Sequence, residues 1–155
     1  MDEQTGLQID FYYFRQSPLA EALSMLAYKT VMAGHKLLIL ARKEHFREIS
    51  EQLYIQRPDS FLAHNGDDEE GAEFAPVWLS SDASKNPIDA NFAALTSAMV
   101  PPDLFKFMRI FYLFDGHDDT ATTLARNCWK EWSALDGAIC RYFAQDEDNR
   151  WIQKK

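Results

Sequence analysis

The sequence is poor in the features that usually announce chemistry. Its 155 residues include only 6 glycines, 6 prolines and 2 cysteines. The turn after the first apolar run reads Phe14-Arg15-Gln16-Ser17-Pro18, with no glycine to let backbone amides wrap a pyrophosphate. No glycine-rich dinucleotide fingerprint and no P-loop follows anywhere in the chain, which argues against a nucleotide site. The two cysteines, Cys128 and Cys140, could pair in principle, but in a reducing compartment free, partly buried thiols are expected. The four histidines, His35, His45, His64 and His117, form no closely spaced pair of the kind metal sites use. No nucleophile elbow of the Gly-x-Ser-x-Gly kind occurs. Apolar runs stay short of the ~18 residues of a membrane helix, and Met1-Asp2-Glu3-Gln4 is acidic where a secretory signal is basic. A cytoplasmic location is the expectation. There is no internal repeat and no heptad pattern.

What the chain does have is apolar and acidic material. Hydrophobic residues make up 46% and aromatics 14%, enough for the core of one domain, expected over 1–155. The net charge is −8, but the acids are unevenly placed. Asp67, Asp68, Glu69, Glu70 and Glu73 form one cluster, Asp115, Asp118 and Asp119 a second, and Asp146, Glu147 and Asp148 a third. Outside these, 13 acids face 16 Lys and Arg, so the remainder is slightly basic. Strong direct binding to nucleic acid needs many phosphate-neutralising cations and is disfavoured. A local basic patch that captures an acidic peptide is compatible with this balance.

Periodicity gives the class of fold. Gln8 to Phe14 is a β-branched and aromatic run, read as a strand. Ser17-Pro18 supplies an N-cap and a first-turn proline; Leu19, Ala22, Leu23, Leu26 and Ala27 then recur at helical spacing up to a stop at Gly34. Lys36 to Ala41, containing Leu-Leu-Ile-Leu, suits a strand buried on both faces, and a second helix is expected from about Lys43 to Tyr54. Residues 65–73 read as a solvated loop. Further strands are expected at Pro76–Leu79, Phe92–Thr96 and Met108–Phe114, and a helix over Thr120–Leu135. The tail from Arg141 reads as polar apart from Phe143, Trp151 and Ile152. A β-α-β-α opening of this kind predicts an α/β domain of three layers, Rossmann-like, with a mainly parallel central sheet flanked by helices.

The last helix carries the most informative pattern. At 100° per residue, Ala121, Leu124, Ala125, Cys128, Trp132 and Leu135 share an apolar face. Thr122, Trp129, Arg126 and Lys130 fall in angular order along the adjacent flank. An indole beside a guanidinium and an ammonium matches what a chain-terminal carboxylate next to an aromatic side chain needs: bidentate donors, added charge and a rigid apolar wall. The competing reading is a solvated basic flank with Trp129 tucked into the core. A second candidate is the turn Asp115, His117, Asp118 and Asp119, which as a cation site would suit a small metal- or phosphate-dependent hydrolase. Its plainer reading is a polar turn with acids at a helix start. Cys128 as a nucleophile competes with Cys128 as a small buried hydrophobe. Neither cofactor nor metal is expected.

Several stretches together resemble the chi subunit family of DNA polymerase III. They are Phe11-Tyr12, Leu37-Leu38-Ile39-Leu40, Leu53-Tyr54, Arg57-Pro58, Ser60-Phe61-Leu62-Ala63-His64, Pro76-Val77-Trp78-Leu79, Pro101, Phe105, Phe107, Arg109, Phe114-Asp115-Gly116, Ala125-Arg126, Trp129-Lys130 and Gly137. They follow the family's order over nearly the whole chain. The resemblance implies a nucleotide-binding-like fold without a nucleotide site, and an accessory subunit without intrinsic activity. It further implies an adaptor that links the clamp-loader assembly to single-stranded DNA-binding protein, meeting nucleic acid only indirectly. By position, the acidic, phenylalanine-ended tail of that protein would fall on Arg126, Trp129, Lys130 and Thr122. A psi-like clamp-loader subunit, or a repair helicase using the same surface, would fall on Tyr54, Pro58 and Phe61. Three positions depart from the pattern: Thr122 stands where a lysine is frequent, Tyr54 replaces a tryptophan and Ala63 a proline.

Overall fold

The computed structural model describes residues 6–14, 19–56, 64–65, 76–86, 88–96, 99–145, 148 and 150–154. The Ser17-Pro18 cap, most of the acidic loop, Pro58 and Phe61 lie outside them, and of Tyr54 only the backbone is described.

Among the described residues, eight strands form one sheet: β1 (Leu7–Phe14), β2 (Leu37–Leu40), β3 (His64–Asn65), β4 (Val77–Ser80), β5 (Phe92–Leu95), β6 (Arg109–Asp115), β7 (Ala138–Gln145) and β8 (Trp151–Gln153). Their order across the sheet is β3-β4-β2-β5-β6-β1-β7-β8. All neighbours are parallel except β7 and β8. Three α-helices are described: α1 (Leu19–Met32), α2 (Phe46–Gln56) and α3 (Asp119–Ser133). Every residue of β2, β4 and β5 is buried, as continuous apolar strands covered on both faces should be.

The pleat divides the core in two. Tyr12, Phe14, Phe111 and Leu113 pack with α1 and α2, whereas Leu7, Ile9, Phe11, Ile110, Tyr112 and Phe114 pack with α3 through Ala125 and Trp132. The three-layer α/β architecture is therefore as expected. The positive φ of Gly34, +88°, gives the stop after α1 its physical reason.

The tail departs from expectation. Ala138–Gln145 is a full strand beside β1, with Leu7 opposite Ala138 and Tyr13 opposite Ala144, and β8 closes the edge. Arg141 makes this stretch look polar, but its charge is neutralised inside the fold. Asp10 on β1 is fully buried and accepts from Arg109 Nε (2.9 Å) and Nη2 (2.6 Å) on one side. On the other it accepts from Arg141 Nε (2.8 Å) and Nη2 (3.0 Å). These hydrogen bonds hold the Arg141 guanidinium even more firmly protonated than usual. The carboxylate thus staples β6 and β7 to the central strand between them. Phe143 stacks on Tyr12 at 4.9 Å, and Trp151 meets the same ring edge-on at 4.9 Å. The β3 bridge, His64–Asn65 beside Val77–Trp78, was also not anticipated.

Burial, and after it the Asp10 charge, pushes the Tyr12 phenol from the ordinary 10.0 up to about 12. A raised value means that the native state favours the neutral phenol. The resulting stability is complete below pH 10 and declines as pH climbs from 10 towards 12. Urea unfolding across that window should show a fall in midpoint that is shallower in Tyr12→Phe. Equal pH dependence in the two proteins would remove Tyr12 from the alkaline transition.

Candidate functional site

The connection from β6 to β7 passes over β1, so α3 lies across the face of β1 that carries Phe11 and Tyr13. Asp118 caps this helix, accepting from the Ala121 amide at 3.1 Å. Between α3 and the sheet opens a cleft of about 430 Å³, within the ~300–1,000 Å³ typical of ligand pockets. Phe11 and Tyr13 of β1, Phe114 of β6 and Tyr142 of β7 provide its aromatic lining on the sheet side; Thr122, Ala125, Arg126, Trp129 and Lys130 line it from α3. The four residues singled out on the helix flank therefore converge on one cleft.

Both readings of Trp129 contribute to the outcome. It is half-buried, with its ring edge-on to Phe11 at 5.2 Å and to Tyr142 at 6.3 Å. It touches the core and also forms a wall of the cleft. Arg126 and Lys130 are exposed at the cleft. The apolar face of the helix is narrower than its periodicity implied: Ala125 and Trp132 are buried, but Leu124 is 41% exposed. The Thr122 hydroxyl is buried without a hydrogen-bond partner among the described residues.

Turn geometry supports the cleft. The Gly116 amide donates to the Phe14 carbonyl at 2.8 Å. A β-carbon at Gly116 would overlap the end of the Tyr13 ring, so a larger residue there would have to displace that side chain. Tyr13 and Phe114 meet edge-on at 5.4 Å beneath it.

The rival readings find little in the geometry. Asp115 accepts from the His117 amide at 2.8 Å and Asp118 is the helix cap, so both acids serve the turn. Among the described residues no group of three or more His, Cys, Asp or Glu is placed to hold a metal ion. Cys128 and Cys140 are free and half-buried. Burial pushes both thiols up, the opposite of what a nucleophilic thiolate requires. Among the described residues no helix is long and apolar enough to cross a membrane.

Sequence reasoning missed the sheet side of the cleft. Phe11 and Tyr13 share one face by alternation, and that signal was present in β1. Tyr142 was hidden because its strand was read as tail.

The family model for the DNA polymerase III chi subunit, HolC, matches residues 7–139. The chain belongs to the DNA polymerase III chi subunit family. No curated protein sequence matches it. The residues matched by the chi model include all of α3 and its cleft-lining side chains, but stop before Tyr142. Membership makes this an accessory subunit of DNA polymerase III by family.

Proposed function

We propose that this protein is a non-catalytic adaptor of the DNA polymerase III holoenzyme, a single cytoplasmic domain that captures the acidic C-terminal tail of single-stranded DNA-binding protein during replication. One observation carries the reading: an aromatic cleft bordered by two cations, on a chain of net charge −8. The phenyl ring of the tail enters the cleft and packs against Trp129 and the aromatic lining of the sheet. Its terminal carboxylate meets Arg126, and Lys130 attracts the acids that precede it. Thr122 borders the same space with a hydroxyl in place of the family's frequent lysine. Affinity on the order of micromolar is expected, falling as salt rises.

Tyr54, Pro58 and Phe61 are the residues proposed to contact a psi-like clamp-loader subunit, or a repair helicase. Together the two contacts would make a bridge, which brings the assembly to coated single strands without direct contact to bases.

Titration with a fluorescent peptide copying the tail, beside a copy lacking its last phenylalanine, tests the reading. Saturable binding to the first alone supports it; no binding at low salt removes it. Arg126→Ala is expected to weaken the tail contact by about 1–3 kcal/mol, the scale of a charge-assisted hydrogen bond. Wild-type affinity in that variant would move the carboxylate elsewhere.

A further inference from the structure

We propose that Tyr142 is a specificity-determining residue of the cleft, its hydroxyl donating a hydrogen bond to the same ligand carboxylate that Arg126 receives. The inference rests on the tail-capture reading and adds to it a donor from the sheet. Tyr142 lies beyond the residues that the chi model matches.

Strand alternation places it. On β7, Ala138, Cys140 and Tyr142 face α3, whereas Arg141 and Phe143 face the opposite side. The Tyr142 ring stands 6.3 Å from Trp129 at 84°, and 6.2 Å from Tyr13. It therefore forms part of the sheet wall against which Trp129 stands. Burial, and after it the neighbouring Tyr13 phenol, pushes the Tyr142 phenol up and keeps its proton on, against the opposing pull of the Arg126 guanidinium. A protonated phenol and a guanidinium thus border one space from two different elements. Tyr13 is less suited to the role, because its hydroxyl is directed at the Gly116 carbonyl, 3.5 Å away.

Charge decides which ligand such a pair accepts. A box of aromatic rings alone would suit a cation, but Arg126 and Lys130 at the cleft oppose one. A carboxylate has lone pairs for both donors at once. A chain end capped as an amide carries no charge to hold them. The cleft should therefore read a free C-terminus, and not merely an apolar side chain.

The experiment compares tail peptides ending in a free carboxylate and in an amide, against wild type and Tyr142→Phe. The substitution keeps the ring and its packing, and an unchanged melting temperature verifies the fold. Wild type should prefer the acid peptide. Tyr142→Phe should weaken the acid peptide about tenfold, while leaving the amide peptide unchanged. An unchanged acid-peptide affinity, or equal loss for both peptides, would overturn the assignment and leave Tyr142 as wall only. Wild-type protein that binds neither peptide would instead overturn the tail-capture reading, and this one with it.

Discussion

Replacing Asp10 by alanine is expected to destabilise the fold by about 3 kcal/mol, read as a lower urea midpoint at unchanged slope. The carboxylate is fully buried, and the side chains of Arg109 and Arg141 are 32% and 31% exposed. Alanine would leave two guanidinium groups, on the strands either side of β1, with no anion between them. Because each reaches water along one edge, the loss stays at the lower end of the ~3–5 kcal/mol for breaking a wholly buried pair. Each guanidinium also lies over a ring, Phe111 at 4.9 Å and Phe143 at 5.1 Å, so the staple fixes aromatic packing as well as charge. Asp10→Asn keeps an acceptor but loses the charge, and should fall between wild type and alanine. The exposed pair Arg47–Glu51, with side chains 91% and 63% accessible, supplies the contrast. Removing either partner there should stay within roughly 0.5 kcal/mol. An Asp10→Ala protein within about 1 kcal/mol of wild type would show that β7 is held by its backbone ladder and rings alone.

The same cluster explains where sequence reading stopped. A single aspartate inside Leu-Gln-Ile-Asp-Phe-Tyr-Tyr-Phe leaves the strand pattern of β1 intact. Its partners lie 99 and 131 residues away, beyond the reach of any local signal. Without that pairing, Arg141 reads as a solvated charge and the chain from Arg141 onward as tail. The all-buried strands at Leu37–Leu40 and Phe92–Leu95 were legible because nothing in them competes with burial. The helix flank was legible for a similar reason: 3.6-residue periodicity places Thr122, Arg126, Trp129 and Lys130 together without tertiary information. The opposite wall was not, since Phe11, Tyr13, Phe114 and Tyr142 come from three strands that only the sheet order β6-β1-β7 makes neighbours. Local pattern thus supplied one wall of the cleft, and long-range pairing the other.

Trp129→Ala is expected to abolish measurable tail capture. A half-buried indole that forms one wall of a cleft is the kind of anchor whose truncation costs about 2–4 kcal/mol at an interface. This corresponds to roughly 30- to 1,000-fold in affinity, enough to carry a micromolar contact out of the range of a peptide titration. The loss should exceed that of Arg126→Ala, because a guanidinium at the rim is partly replaced by water, whereas the space left by an indole has no substitute. Trp129 also packs edge-on against Phe11, so alanine should lower stability as well. Two controls separate the effects. Near-ultraviolet circular dichroism and the thermal midpoint report the folded fraction, and binding is scored against that fraction. Trp129→Phe retains an aromatic face against Phe11 and should recover part of the affinity. If folded Trp129→Ala protein binds the tail as wild type does, the cleft beside α3 is not the capture site, whatever the peptide shows elsewhere. If binding is lost in Trp129→Ala and partly restored in Trp129→Phe, the aromatic wall carries recognition, and the cations around it set approach rate and salt dependence.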